Sequence, residues 1–292
     1  MMQWGSPVST GCPPIVLSHY QVEPIRRARQ RGDRDVSVSV DLGLTTSEAV
    51  LDHDSVLFAN GETLDWTALA EIARSRTKCF AVEASSIREI KVFSEHTNWL
   101  RTLMPTAGAP TTLVSGTLMH RVKDTDPYRD TLSKIRVIAP LSGRVLDTAT
   151  GLGYTAIEAA KTADEVVTIE LDPAAIEIAR QNPWSRPLFD NPKITIVIGD
   201  AVEEVRSFPD GRFSRIIHDP PVIGLAGELY SLAFYRELFR ILTPGGRLFH
   251  YIGDLESRSG GRVAPGVMRR LQETGFSRVL RRPEAFGVTA QR

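Results

Sequence analysis

The sequence predicts an α/β protein: a doubly wound, mostly parallel sheet preceded by a smaller mixed α/β domain. Three observations lead to this. From Gly143 onward, short apolar runs alternate with helical patterns, which calls for parallel strands joined by crossover connections. Before that point the strand patterns are shorter, show a two-residue period and are broken by turn residues. The first strand of the alternating half runs into Gly151 and Gly153, a tight turn placed ahead of a helical segment.

Bulk properties restrict the classes. At 292 residues the chain exceeds one usual domain, and 42% hydrophobic with 24% charged residues is ordinary globular composition. No apolar run approaches the roughly 20 residues of a membrane span. The opening "MMQWGSPVSTGCPP" lacks the basic and apolar regions of a secretory signal. The cysteines are Cys12 and Cys79, which excludes a disulfide framework and leaves no zinc spacing; a reduced, cytoplasmic setting is expected. Net charge is zero, but from Ser257 onward eight arginines stand against Glu273 and Glu284. Such a tail either tracks phosphates or forms solvated helix faces.

In chain order, residues 1–20 are rich in Pro, Gly and Ser and read as irregular. Residues 21–115 form the small domain. Within it "DVSVSVDLGL" alternates as a half-buried strand, and Asn60-Gly61 marks a hairpin between short strands. Asp65 caps a helix over 65–76, and "CFAVEA" and "IREIKVFSE" return to strand. Residues 116–142 read as a linker with a helix over 126–138. The third region, 143–292, holds the strands "RVLDTA", "EVVTIEL", "ITIVIGD", "FSRIIHD" and "RLFHYIG". Helices over 154–163, 173–181 and 228–242 lie between them, and "PGVMRRLQETGF" forms another.

In such sheets ligands bind beyond the carboxyl ends of the strands, and here each of four successive strands ends in an acid. The first delivers Asp147 and the glycine turn; the second delivers Glu170, about 20 residues beyond that turn, where a carboxylate accepts ribose hydroxyls. Asp172-Pro173 behind it read as N-cap and first residue of a helix. The third strand ends in Asp200, followed by Ala201, and the fourth in Asp219 of "IIHDPPVIG". Two prolines cannot prolong a strand or enter a helix interior, so Asp219 is held where regular structure stops.

From Arg144 to the C-terminus this ordered set resembles the class I S-adenosylmethionine-dependent methyltransferases, with their Rossmann-like fold. The resemblance implies that Asp147, Gly151 and Gly153 line the methionine end of the cofactor, and that Thr148 and Tyr154 also bind it. It implies Glu170 at the ribose and Asp200 with Ala201 at the adenine, with Leu171 also binding the cofactor. "DPP" is similar to the fourth motif of that family, which gives catalytic roles to Asp219 and Pro220 and places Pro221 at the acceptor. "VLDTATGLGYTAIEAA", "NPWS" and "HDPPVIGLAGELYSLAFYRELFRIL" look like a group of uncharacterised archaeal predicted methyltransferases.

"AGELYSLAFYRELFRILTPGG" is also similar to spermidine-synthase-type aminopropyltransferases, which use decarboxylated S-adenosylmethionine. Two expected acids are replaced: Ile216 stands three before Asp219, and Leu152 stands between the last glycines. A polyamine in a low-dielectric pocket needs several carboxylates, so methyl transfer to an amino nitrogen of RNA or a small molecule is the expectation. Asp219 would accept an N–H from the amine, and His218 or His120 would shuttle a proton. The position after "PP", usually aromatic in base-modifying relatives, is Val222, for which Tyr154, Tyr230 or Tyr251 would substitute. The polar stretch around Met119, His120, Arg121 and Lys123 faces the substrate or forms a charged linker. No metal and no membrane partner are expected, and a homodimer is allowed.

Overall fold

The computed structural model describes residues 14–292, apart from positions 222 and 225 and the side chain at 259. Residues 1–13 with Cys12, and Val222 after the proline pair, lie outside the described residues. The chain divides into two compact units, 1–90 and 91–292.

The first unit opens with β1 (Ile15–Leu17), α1 (His19–Arg31), β2 (Asp35–Val38), β3 (Ser47–Leu51) and β4 (Ser55–Phe58). It continues with β5 (Thr63–Asp65), α2 (Trp66–Arg74), β6 (Phe80–Glu83) and β7 (Ser86–Glu89). The sheets are ordered β1-β6-β7 and β2-β3-β4-β5, all neighbours antiparallel. Asn60-Gly61 makes the turn from β4 to β5, with Gly61 at φ +89°, and Asp65 caps α2 through the amide of Ala68. Irregular structure was expected as far as residue 20. Instead, buried Ile15–Leu17 pairs with β6, and Ser18 opens α1 through a capping box with Gln21. A buried apolar triplet followed by a capping signal outweighs the loop-like composition upstream. Ile15, Leu17, Ile25, Val56, Leu64 and Leu69 form the core.

The second unit begins with β8 (Lys91–Ser94), β9 (Trp99–Met104), β10 (Thr111–Val114) and β11 (Thr117–Leu118), an antiparallel sheet of order β11-β10-β9-β8. Then come α3 (Pro127–Ile138), β12 (Arg144–Asp147), α4 (Tyr154–Ala160), β13 (Glu165–Glu170), α5 (Pro173–Gln181) and α6 (Arg186–Asp190). The remainder is β14 (Ile194–Ile198), α7 (Ala201–Ser207), β15 (Phe213–His218), α8 (Leu232–Ile241), β16 (Leu242–Tyr251), α9 (Arg258–Thr274), β17 (Ser277–Arg282) and β18 (Gly287–Gln291).

The seven-stranded sheet has the order β14-β13-β12-β15-β16-β18-β17. The first five strands are parallel, and β18 runs antiparallel between β16 and β17. The fold is the doubly wound, mostly parallel α/β sheet that the alternation predicts. Its switch point falls at β12, where the chain adds β13 on one side and β15 on the other.

Three boundaries differ from expectation. The division falls at Ile90/Lys91, not after residue 115, and 116–142 is no separate linker, because α3 belongs to the second unit. The physical reason is Asp172. This buried N-cap of α5 accepts hydrogen bonds from Ser94 Oγ (2.7 Å), Thr97 Oγ1 (2.9 Å) and Arg101 Nε (2.8 Å), tying β8 and β9 to the parallel sheet. The helix expected from Pro265 begins at Arg258, capped by Ser257 through the amide of Gly260, and carries Pro265 inside it. Finally, β17 and β18 extend the sheet beyond the expected strands.

Candidate active site

At the carboxyl ends of β12, β13 and β15 a cavity of about 380 Å³ opens, within the size range of cofactor pockets. Its floor is the β12–α4 turn (Thr148, Ala149, Thr150, Gly151) with Tyr154 and Thr155. Glu170, Leu171, Asp200 and Ala201 line one end, while Asp219, Pro220, Pro221 and Tyr251 line the other. Trp99, Val114 and Leu118 of the antiparallel sheet, with Met119, His120 and Arg121, complete the wall. The four strand ends and the D-P-P segment therefore share one cavity.

The two glycines of the turn do different work. Gly151, at φ +53°, lines the cavity, and a β-carbon there would meet nothing within 4 Å. Gly153, at φ +79°, lies off the wall; a β-carbon would approach Leu188 Cδ2 of α6 to 2.6 Å. The expectation that Gly153 lines the cofactor is corrected: its missing side chain makes room for Leu188.

Asp147 is also off the wall. It is fully buried, and its Oδ2 accepts from Thr155 Oγ1 (2.9 Å) and Thr168 Oγ1 (3.0 Å). Burial pushes its carboxyl up to about 7, against the lowering effect of those hydroxyls. Thr155 carries its influence to the cavity, in place of the direct contact expected. Glu170 does reach the cavity. Its Oε2 accepts the amide of Gly151 (2.8 Å) and its Oε1 that of Asp172 (3.0 Å), leaving lone pairs on both oxygens. Burial raises its pKa, opposed by those amides. Asp200 caps α7 through the amide of Val202 (2.8 Å) and still faces the cavity. Leu171 is 47% exposed, an apolar surface beside Glu170.

Asp219 forms an ion pair invisible in the sequence. Its Oδ2 lies 2.6 Å from Nζ of Lys134 on α3, and that ammonium is 3.0 Å from Asp130 Oδ2. Lys134 sits over the Tyr251 ring at 4.4 Å and is 3% exposed. Burial opposes its charge, but Asp219 and Asp130 outweigh burial and raise its pKa. Burial likewise raises the pKa of Asp219, with Lys134 pulling it back. Asp130, 1% exposed, also accepts from Arg121 Nη1 (2.8 Å), whose guanidinium stacks 3.4 Å from the Phe286 ring centroid. The sole sequence hint of this network was Asp130 and Lys134 at i, i+4 on one helix.

The histidines do not fit the proton-shuttle expectation. His218 is wholly buried off the cavity wall, with Nδ1 2.6 Å from Thr148 Oγ1 and Nε2 2.9 Å from the Leu229 carbonyl. The carbonyl fixes the proton on Nε2, so Nδ1 accepts from Thr148. Burial lowers the pKa of His218 to about 3; it is a neutral strut between the glycine turn and the loop after D-P-P. His120 does line the cavity, with Nδ1 2.9 Å from Thr111 Oγ1, but burial and then Lys134 lower its pKa to about 4. Tyr230 is buried and donates to the Pro221 carbonyl (3.1 Å), supporting the loop from behind the wall. Tyr154 reaches the cavity with its hydroxyl donating to the Pro110 carbonyl (2.9 Å).

Three of the eight arginines of the tail are committed internally. Arg281 donates to the Leu255 carbonyl, Arg282 to Thr289 Oγ1, and Arg292 to the carbonyls of Arg240 and Leu242. Among the described residues no helix is long and apolar enough to cross a membrane.

A family model described as a methyltransferase domain matches residues 145–246. An uncharacterised protein of Methanocaldococcus jannaschii is 39% identical over 262 residues, covering 88% of this chain and 89% of that protein. Putrescine N-methyltransferase 4 of Nicotiana tabacum is 27% identical over 138 residues, 46% of this chain and 36% of that one. Among solved structures, a spermidine synthase from Thermotoga maritima matches with a TM-score of 0.55 at 19% identity, over 69% of this chain and 72% of that one. That last likeness is one of fold. The chain belongs to the family of the M. jannaschii protein and carries, over residues 145–246, a match to a methyltransferase domain on a Rossmann-like fold.

Proposed function

We propose that this protein methylates an amino nitrogen of RNA or of a small molecule, using S-adenosylmethionine. The carrying observation is that Asp219, Pro220 and Pro221 line the same cavity as Thr148–Gly151, Glu170 and Asp200. The wall fits the cofactor. Glu170 keeps lone pairs for the ribose hydroxyls, Leu171 and Ala201 offer an apolar surface to a planar base, and Asp200 accepts from its amino group. Gly151 lets the backbone approach closely. Bound there, S-adenosylmethionine supplies an electrophilic methyl group on a sulfonium.

The chain's own task is positioning and exclusion of water. Asp219 Oδ2 is held by Lys134, so Oδ1 is the oxygen left to accept an acceptor N–H, and Pro220 lines the same cavity. Trp99, Val114 and Leu118 close the opposite side with apolar surface. Aminopropyl transfer fits less well. Ile216 is fully buried in β15 and offers no carboxylate, and the charge of Asp219 is already paired.

The test is transfer of tritiated methyl from S-adenosylmethionine into fractionated cell extract, with Asp219→Ala as control. Label should enter the RNA or the small-molecule fraction, and D219A should lower incorporation by roughly a hundredfold or more while cofactor affinity stays within a few-fold. Unchanged incorporation by D219A would refute the role of Asp219. Calorimetric binding of decarboxylated S-adenosylmethionine alone, with none of the intact cofactor, would overturn methyl transfer.

A further inference from the structure

Lys134 is not at the cavity wall; it stands behind Asp219, which is. Four charged groups form a closed set: the carboxylates of Asp219 and Asp130 and the cations of Lys134 and Arg121, each anion paired within 3.0 Å. Tyr251 covers the ammonium and Phe286 covers the guanidinium, so water screens the set poorly. A substrate ammonium arriving at Asp219 would meet a carboxylate whose charge Lys134 already cancels. It would also meet Arg121, a second cation, on the same wall. Burying a cation without a partner charge is strongly unfavourable.

The acceptor must also arrive with its lone pair free. An aliphatic ammonium, with a pKa near that of lysine, has to lose a proton before it attacks. The histidine on this wall, His120, is held neutral and is a weak base, and His218 is sealed off. Charge and proton accounting thus agree.

We propose that Lys134 determines acceptor specificity, making the cavity select an amine whose reacting nitrogen is uncharged at neutral pH and exclude aliphatic polyammonium ions. Exocyclic amino groups on aromatic rings belong to the accepted class; putrescine and spermidine belong to the excluded one. This rests on the methyl-transfer reading. Lys134 is a positioning residue, because it acts through Asp219.

Putrescine is the probe, titrated calorimetrically into the full chain saturated with S-adenosylhomocysteine. Wild type and Lys134→Arg should show no saturable binding. Lys134→Met uncovers the charge of Asp219 and should bind putrescine at least roughly tenfold more tightly than wild type. The gain should grow with rising pH as Asp219, whose pKa burial raises, ionises, with Asp130, Arg121, Tyr251, Tyr230, His120 and Asp147 the other titratable groups nearby. A merely structural lysine would not produce a gain of binding that arginine reverses. Saturable putrescine binding by the wild type overturns the proposal, as does K134M that keeps its S-adenosylhomocysteine affinity and gains none for putrescine. Should K134M fail to fold, Lys134→Gln takes its place with the same expectations. A protein that prefers the decarboxylated cofactor fails the methyl-transfer reading in a separate titration, so the two failures are distinguishable.

Discussion

Replacing Gly151 and Gly153 by alanine separates a ligand role from a packing role within one turn. Both residues have positive φ, at +53° and +79°, so both variants carry the left-handed cost of about 1–2 kcal/mol. That shared cost cancels in the comparison. At Gly151 the new methyl meets nothing within 4 Å, so about 1–2 kcal/mol is the whole expected loss. At Gly153 it would lie 2.6 Å from Leu188 Cδ2 and 2.9 Å from Cδ1, and Leu188 is 1% exposed and cannot swing aside. Overpacking of that kind adds about 1–3 kcal/mol. G153A should therefore be less stable than G151A by about 1–3 kcal/mol, or roughly 2–12 °C in Tm. Binding should run the other way. G151A puts its methyl into the cavity and should lose about tenfold or more in S-adenosylhomocysteine affinity, while G153A keeps its affinity wherever it is folded. Denaturant melts and calorimetry read the two effects. Equal destabilisation of the two variants, or normal binding by G151A, would refute the division of roles.

Asp172→Ala removes the buried partner of Arg101, the acceptor of Ser94 and Thr97, and the cap of α5. It should cost about 3–5 kcal/mol for the broken buried pair and about 1 kcal/mol for the cap in urea unfolding; a loss under about 1 kcal/mol would show that the antiparallel sheet is held by something else. Asp172→Asn, which keeps the cap, should lose less. Asp147 has a folded pKa of about 7 against 3.8 unfolded. The native state therefore holds its proton over a range where the unfolded chain has released it, and this contribution to stability is lost as pH rises from about 4 through 7. Asp147→Asn should abolish that fall, about 4 kcal/mol across the window at 1.36 kcal/mol per unit. Identical stability–pH curves for D147N and wild type between pH 4 and 7.5 would count against a raised Asp147.

Much of the cofactor domain was legible because its signals are local. Strand periodicity, the Asp172-Pro173 start of α5 and the glycine turn each specify backbone within a few residues. Since ligands in such sheets lie beyond the strand ends, Glu170, Asp200 and Asp219 could be placed at one cavity before any coordinates. What sequence order could not supply was charge pairing between distant positions. Lys134 and Asp219 are 85 residues apart, and Arg101 and Asp172 are 71 apart. Nothing local distinguishes those cations from solvated ones, so sequence alone sets the unit boundary too late and leaves Asp219 without a partner. Protonation was hidden for the same reason: an imidazole that reads as a shuttle becomes a neutral strut once Thr148 and the Leu229 carbonyl close around His218. By itself, then, the sequence determined the parallel strands, the helices between them and the acids at the sheet's edge, because backbone preference and periodicity are short-range. Tertiary structure alone decided which acids are paired, which glycine faces ligand and that His120 and His218 are held neutral. Burial and electrostatic pairing belong to neighbours in space, and those neighbours are far apart in the chain.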